Sequence, residues 1–468
     1  MRSKLKILIA LWLLSTCVYA QEAQRSDTVN LRHSAKVEQS IFTSANELLP
    51  LWLAANTSGR FTTANAWGTS TNLSFQRATD NTKSLDYFYG AELLGITGSE
   101  TRFSPIQAYV GLKVNQVIIR LGMQEEFFGV NDTLLTAGNL VYSNNARPIP
   151  KAVIQTTDWV RAPILGNTFS FKAYLTHGWF EEDRYQSGAL LHQKYLLLRS
   201  ELFNKRLTFI GGLHHSAQWG GTNVVTESQQ PTGLANYARI FMGSSGASGA
   251  AVNDQLNARG NHLGTYDFSL SYRFKTFTIR NYWQFIWEDR SGLTPFNWRD
   301  GLIGLSVRLH GQQQYLSGFN VELVKTSGQD AVKYNGDIEI IEPDNPFNNG
   351  SYTSGWTYLG SNIGNPMFLI LNPEAYSVNK VKNMVNGVNV GAHGRIAGID
   401  YKINFLSFKN HGTYKERIAP GLRTQTLNLD LGTNYKAYSL GFRGVIQWGN
   451  YPGNNAGMIL SIARNLAF

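Results

Sequence analysis

The sequence predicts an all-β chain: a transmembrane antiparallel outer-membrane β-barrel of eighteen strands with long extracellular loops. Three observations predict it. Segments of roughly 9–12 residues alternate apolar and polar side chains, the length a tilted membrane strand needs. Their apolar faces are rich in aromatics near the strand ends, as interfacial girdles are. Very short turns alternate with much longer connections, as periplasmic and external loops do.

The N-terminus reads as an export signal. Arg2, Lys4 and Lys6 precede an apolar run from Ile7 to Leu14, and Val18-Tyr19-Ala20 puts small residues at both cleavage-recognition positions. Residues 1–20 are therefore expected to be removed before Gln21, and the apolar run is too short to anchor in a bilayer. Leu14-Ser15-Thr16-Cys17 also resembles a lipoprotein box, but Thr16 stands where Gly or Ala is wanted. Cys17 is the only cysteine, so a chain cut at Gln21 forms no disulfide. The formal charge of +10 falls to +7 without the three basic leader residues. No Lys/Arg block marks a nucleic-acid surface, and export removes nucleic acid as a partner. No linker or fixed-period repeat divides the remainder. No other apolar stretch approaches the ~20 residues of a membrane helix, so a spanning chain must close as a barrel.

Each strand is justified by its alternation. Tyr266, Phe268, Leu270, Tyr272 and Phe274 share one face, opposite Asp267, Ser269, Ser271 and Arg273. After Lys275-Thr276, Phe277, Ile279, Asn281, Trp283, Phe285 and Trp287 oppose Arg280, Gln284 and Glu288. Read this way, the strands fall at 48–56, 66–77, 84–95, 105–114, 117–124, 151–164, 168–178, 190–203, 206–215, 263–274, 277–288, 301–310, 315–326, 386–396, 399–408, 422–432, 438–449 and 456–468. Residues 21–47 form a short periplasmic N-terminal segment and 48–468 the barrel. The count is even, as single-chain bacterial barrels require, and every short turn falls on the side of both termini. Pro50 makes 48–56 readable as a short helix instead. Phe468, with Leu466, Ile462 and Leu460, resembles the terminal signal read by the barrel assembly machinery. Arg464 shares that apolar face and is expected near an interface, unless the register is wrong by one. The external loops are 125–150, 179–189, 216–262, 289–300, 327–385 and 409–421, and 216–262 and 327–385 are long enough to cap or plug the lumen.

Candidate chemistry is sparse. His214 and Ser216 share a strand face, and outer-membrane phospholipases use such a pair, but Ala217-Gln218-Trp219 replaces their Asn-Gly continuation. The plain reading is a polar rim. Asp337, Glu339, Glu342, Asp344, Asn345, Asn348 and Asn349 make an oxygen-rich loop without calcium-loop spacing, more readily a solvated acidic loop. No metal or cofactor is implied. Carbohydrate contact is better motivated, because sugars pair apolar CH faces with hydroxyls. Gln218 and Trp219, Trp298 with Arg299 and Asp300, and Tyr352, Trp356 and Tyr358 with Asn362 combine aromatic platforms with amides and charges on external loops. Loop anchoring is the competing role for each of them. Arg273, Arg280, Glu288, Arg308, Glu322, Lys402, Asp430 and Arg443 point inward, where mixed charges are expected to pair across the lumen.

Four stretches carry a family resemblance: Asn145-Ala146-Arg147-Pro148-Ile149-Pro150, Leu191-His192-Gln193-Lys194, Gly212-Leu213-His214-His215-Ser216-Ala217-Gln218-Trp219-Gly220-Gly221, and Ser354-Gly355-Trp356-Thr357-Tyr358 with Ile363-Gly364-Asn365-Pro366. In order and composition they resemble the Wzi-type capsule-assembly proteins in their Bacteroidetes form. The resemblance implies an eighteen-strand barrel that acts as a lectin for capsular or exopolysaccharide, without enzymatic activity. Its partners would also include outer-membrane lipid, lipopolysaccharide and, during biogenesis, the assembly machinery. Enterobacterial members carry a helical bundle beneath the barrel, and the roughly 27 residues from Gln21 to Glu47 are too few for one. The alternative reading is a diffusion channel for small sugars or other solutes.

Overall fold

Eighteen antiparallel strands hydrogen-bond in chain order and close on themselves in the computed structural model. It describes residues 33–166, 168–244, 260–288, 299–311, 315–328, 330–335, 338–343, 345–371 and 380–467. The leader and Phe468 therefore lie outside the described residues. The strands are β1 (His33–Ser44), β2 (Trp67–Arg77), β3 (Leu85–Gly98), β4 (Arg102–Val114), β5 (Val117–Met123) and β6 (Lys151–Thr156), which resumes as Val160–Arg161 against the same neighbour. There follow β7 (Phe169–Trp179), β8 (Leu190–Leu202), β9 (Leu207–Trp219), β10 (Asn261–Arg273), β11 (Phe277–Glu288) and β12 (Gly301–Leu309). The last are β13 (Gly318–Lys325), β14 (Val385–Ile396), β15 (Ile399–Gly412), β16 (Arg417–Tyr435), β17 (Tyr438–Gly449) and β18 (Asn455–Ala467). Closure pairs β18 with β1, Leu460 opposite Ile41. No edge remains to template aggregation.

The alternation sorts side chains as a bilayer demands. Val110, Leu112, Ile119, Leu121, Ile154, Leu196, Leu270, Ile303 and Leu323 stand exposed on the outer wall. Phe103 and Trp179 bound this band at one rim, and Phe169, Phe203, Phe274 and Tyr435 at the other. An apolar surface of this extent fits lipid and not water.

The two rims differ in their connections. At one, strands join by tight turns such as Ala397-Gly398, whose φ values of 50° and 82° suit a two-residue hairpin. Both ends of the described chain lie there, since Ser34 pairs with Ala467 and His33 with Arg77. The other rim carries the long loops, of which 124–150, 220–260 and 326–384 are the largest.

The first strand differs from the expectation. Residues 48–56 hold a turn and a short helix, α1 (Leu51–Ala54), and β1 lies earlier in the chain. Leu49 and Leu53 are buried in the lumen beside Phe42, Ile96, Ile106 and Val445, so their apolar spacing serves a helix entering the barrel. β1 escaped notice because its outward row of Ala35, Val37, Gln39, Ile41 and Thr43 is weakly apolar. Gln39 spends its amide on Thr71 of β2, at 2.8 Å. Arg464 keeps its outward register. It lies opposite Tyr438, the first residue of β17, with its guanidinium 5.8 Å from that ring's centroid, which puts it at the short-turn interface.

Candidate functional site

Three segments from the long-loop rim fold into the barrel. Besides α1, these are the 124–150 loop and the 345–371 half of the longest loop. Together the two loops build the main buried cluster: Phe128, Leu140, Val141 and Tyr142 meet Phe347, Tyr352, Trp356, Ile363, Met367 and Phe368 against Tyr174, Tyr282 and Leu302 of the wall. Of the two loops long enough to cap or plug the lumen, 216–262 and 327–385, the second contributes its 345–371 part, and the shorter 124–150 loop joins it.

Polar anchors hold this plug. Glu322 of β13 accepts from Thr136 Oγ1 at 2.7 Å, the Ala137 N–H at 2.7 Å, Tyr282 Oη at 2.7 Å and Asn389 Nδ2 at 3.0 Å. Asp132 reaches nearly to the short-turn rim, where its carboxylate accepts from Ser306 Oγ at 2.6 Å and lies 3.4 Å from the Arg308 guanidinium. Burial pushes the Asp132 carboxyl up, but the Ser306 hydroxyl, the Leu134 and Leu135 N–H groups and Arg308 outweigh it and hold it below its ordinary value. Glu126 is likewise penalised by burial, yet Lys151 and Arg120, both in direct contact with it, keep it below the usual carboxylate range. Lys151 Nζ also donates to Tyr142 Oη at 2.9 Å and Gln193 Oε1 at 3.1 Å. Loop residue Glu181 goes the other way: burial raises its carboxyl despite Arg184 beside it.

The family-like stretches meet one another here. Trp356 Nε1 donates to the Val141 carbonyl at 2.6 Å, Asn145 Nδ2 to the Asn362 carbonyl at 2.9 Å, and Asn365 Nδ2 to the Gly138 carbonyl at 2.6 Å. Gln218 Nε2 donates to the Gly355 carbonyl at 3.0 Å, and the His214 ring stacks on Phe128 with centroids 5.2 Å apart.

Most of the predicted sugar contacts are thus occupied within the fold. Gln218, Tyr352, Trp356, Tyr358 and Asn362 are buried in or beside the plug, and burial pushes the Tyr358 hydroxyl up to about 12. Trp219 is buried on the outer wall against Ile240 and Tyr237, apart from the others. Asp300 is buried, its carboxylate accepting from the Gly328 N–H at 3.1 Å, whereas Arg299 is exposed. Trp298 lies outside the described residues. In this arrangement the aromatic residues anchor loops. The His214–Ser216 pair does form a hydrogen bond, 3.2 Å from Nε2 to Oγ, but both residues are buried behind Phe128. Asp337 and Asp344 of the acidic loop are outside the described residues. Among the described residues no three His, Cys, Asp or Glu converge to hold a metal.

Among the described residues, open space remains inside the barrel and at its long-loop rim. A cavity of about 210 Å³ lies between the plug and the β15–β17 wall, lined by Trp52, Asn56, Tyr142, Asn404, Asn428 and the Lys402–Asp430–Arg443 cluster. Asp430 pairs with Lys402 at 2.7 Å and Arg443 at 3.3 Å, the cross-lumen pairing expected of these charges. At the long-loop rim a wider cleft of about 910 Å³ is lined by Asn46, Glu47, Leu48, Trp67, Ser99, Gln447 and Asn455. Trp67 is 57% exposed there. The sequence reading missed both spaces, because their linings come from segments far apart in the chain.

A closed eighteen-strand barrel with an apolar outer belt and a lumen filled by its own loops defines a plugged outer-membrane β-barrel. A family model described as capsule assembly protein Wzi matches residues 21–369. The chain belongs to the Wzi capsule-assembly family. Among solved structures it is similar to Wzi of Escherichia coli, described as an outer-membrane protein involved in group 1 capsule assembly and as a carbohydrate-binding β-barrel. The TM-score is 0.60 at 12% identity, over 92% of this chain and 84% of that one. It also matches Pseudomonas aeruginosa OccK5 (OpdH) at TM-score 0.47 and 11% identity, over 93% and 98% of the two chains. Pseudomonas aeruginosa OpdL matches at TM-score 0.45 and 10% identity, over 93% and 97%. No curated protein sequence matches the chain.

Proposed function

We propose that the protein is a non-enzymatic lectin that holds capsular or exopolysaccharide at the cell surface and so assists capsule assembly. The observation that carries this reading, beside family membership, is the plug. Loops pinned by hydrogen bonds to β6, β12 and β13 occupy the space through which a diffusion channel would conduct. The long-loop rim faces outward and both termini face the periplasm, the orientation that short turns favour. The chain reaches the membrane by export and insertion through the barrel assembly machinery.

Polysaccharide lies along the long-loop face. The cleft around Trp67 offers an exposed aromatic platform beside Asn46 and Glu47, the amides of Gln447 and Asn455 being spent on the Gly453 and Leu48 carbonyls, and Arg299 adds an exposed cation at the same rim. Gln218, Tyr352, Trp356, Tyr358 and Asn362 support this face by fixing the plug. Asp300 fixes the base of the longest loop through the Gly328 N–H. Co-sedimentation of the purified protein with the producing strain's polysaccharide tests the site. Trp67→Ala is expected to weaken binding about tenfold or more, as loss of one well-packed aromatic contact does, with unchanged thermal stability. Equal binding by Trp67→Ala and the parent would remove the cleft from the site.

A further inference from the structure

The outer wall over β7–β11 departs from the apolar rule near the long-loop rim. Two rows of outward residues cross it. The upper row runs His177, His192, Ala217, His262, each opposite the next across the strands. The lower row runs Leu175, Lys194, His215, Gly264, Trp287. Their strand neighbours Gln193, Ser216 and Gln218 face the lumen, so these rows face out. Trp179 sits two residues beyond His177 in the aromatic girdle, which puts the rows at the depth of lipid head groups.

This patch is roofed by α2 (Leu234–Met242), which packs on the outside of the barrel. Ile240 is buried against Ala217 and Trp219. Tyr237 Oη lies 3.2 Å from His192 Nδ1, and the Lys194 ammonium stands 3.7 Å from the Phe241 ring centroid and donates to the Phe241 carbonyl. Leu234 and Met242, at the two ends of α2, are exposed, as suits a helix lying in the interface.

Two features point to a ligand. His192 Nε2, His215 Nδ1, Trp219 Nε1 and Trp287 Nε1 are buried and have no hydrogen-bond partner among the described residues. Two of these are indole N–H groups, which can only donate, and Lys194 forms no ion pair among the described residues. Unmatched donors on a lipid-facing wall are costly unless an acceptor-rich group meets them. Beside the patch an apolar groove of about 510 Å³ crosses the outer wall over β4–β7, lined by Val110, Leu112, Ile119, Leu121, Ile154 and Leu175, and meets the patch at His177 and Tyr237. The histidines do not make a cation site: His215 Nε2 and His262 Nδ1 hydrogen-bond each other at 2.8 Å.

We propose that this wall is a lipid site, in which the groove holds an acyl chain and the patch under α2 binds the phosphate of a phosphorylated outer-leaflet lipid. The phosphate oxygens accept from Lys194, the free imidazole nitrogens and the indole N–H groups, and α2 shifts to admit them. The site is independent of polysaccharide binding at the loop face.

The test is native mass spectrometry of the full protein, released from nanodiscs holding equal amounts of phosphatidylethanolamine, diphosphorylated lipid A and its dephosphorylated form. The expected result is selective retention of the diphosphorylated lipid. Lys194→Met and the ring-preserving Trp219→Phe and Trp287→Phe variants each lower that retention about tenfold, the scale of one lost charge-assisted contact. Compact migration on unboiled gels shows that each barrel is intact. Equal retention of both lipid A forms, or undiminished retention by all three variants, overturns the proposal. Displacement of the lipid by millimolar inorganic phosphate would instead reveal a free-anion site and overturn the lipid assignment.

Discussion

Replacing Glu322 by Leu should unplug the barrel. The carboxylate is fully buried and accepts from four donors, two of them on the 124–150 loop. Leucine has similar bulk and no acceptor. Each buried donor left unpaired costs about 1–3 kcal/mol, and relief of the carboxylate's own desolvation offsets part of that sum. A net loss of about 3–5 kcal/mol for the plugged arrangement follows, the scale of breaking a buried charged network. At about 1.4 kcal/mol per decade, the unplugged population rises by roughly two to three and a half orders of magnitude. The strand ladder does not depend on Glu322, so the barrel itself should persist. The assay is planar-bilayer recording. The parent should be electrically quiet, and Glu322→Leu should show discrete openings. Thr136→Val, which removes one of the four donors, should shift stability by less. A quiet Glu322→Leu barrel with parental thermal stability would refute the assignment of Glu322 as the plug's anchor.

Two other perturbations follow from the same network. Trp356→Ala removes the largest fully buried side chain and its bond to Val141, and should lower stability by about 3–5 kcal/mol in thermal unfolding of the detergent-solubilised protein. The Asp132 carboxyl is held below its ordinary value, so it binds protons more weakly folded than unfolded. Its stabilising contribution is complete above the unfolded value of about 3.9 and is lost as pH falls through the folded one. Acid titration followed by plug tryptophan fluorescence should therefore show loosening below about pH 4, and Asp132→Asn should abolish that component while loosening the plug at neutral pH.

The wall of this protein was legible because a bilayer imposes a period of two on every strand. Tyr266 to Phe274 can be read one residue at a time. β1 was not legible, because Gln39 interrupts its outward row and its stability comes from pairing with β2 and β18, both remote in sequence. Nor was the plug legible. Trp356 and Tyr352 look alike whether they face a sugar or a core, and only the arrival of Val141 and Phe347 decides. The inward charges were visible, but Asp132, the luminal partner of Arg280 and Arg308, sits on a loop more than a hundred residues away. The family-like stretches were recognisable in sequence. Their common role in pinning one plug emerges only from Asn145 meeting Asn362 and Gln218 meeting Gly355.

The central claim is that a plugged barrel retains polysaccharide at the cell surface. Deleting the gene and measuring cell-associated and released polysaccharide tests it most directly. Polymer should move from the cell surface to the medium with total synthesis unchanged, and the Trp67→Ala protein should restore retention only in part. Undiminished cell-associated polysaccharide, with none in the medium, would contradict the account.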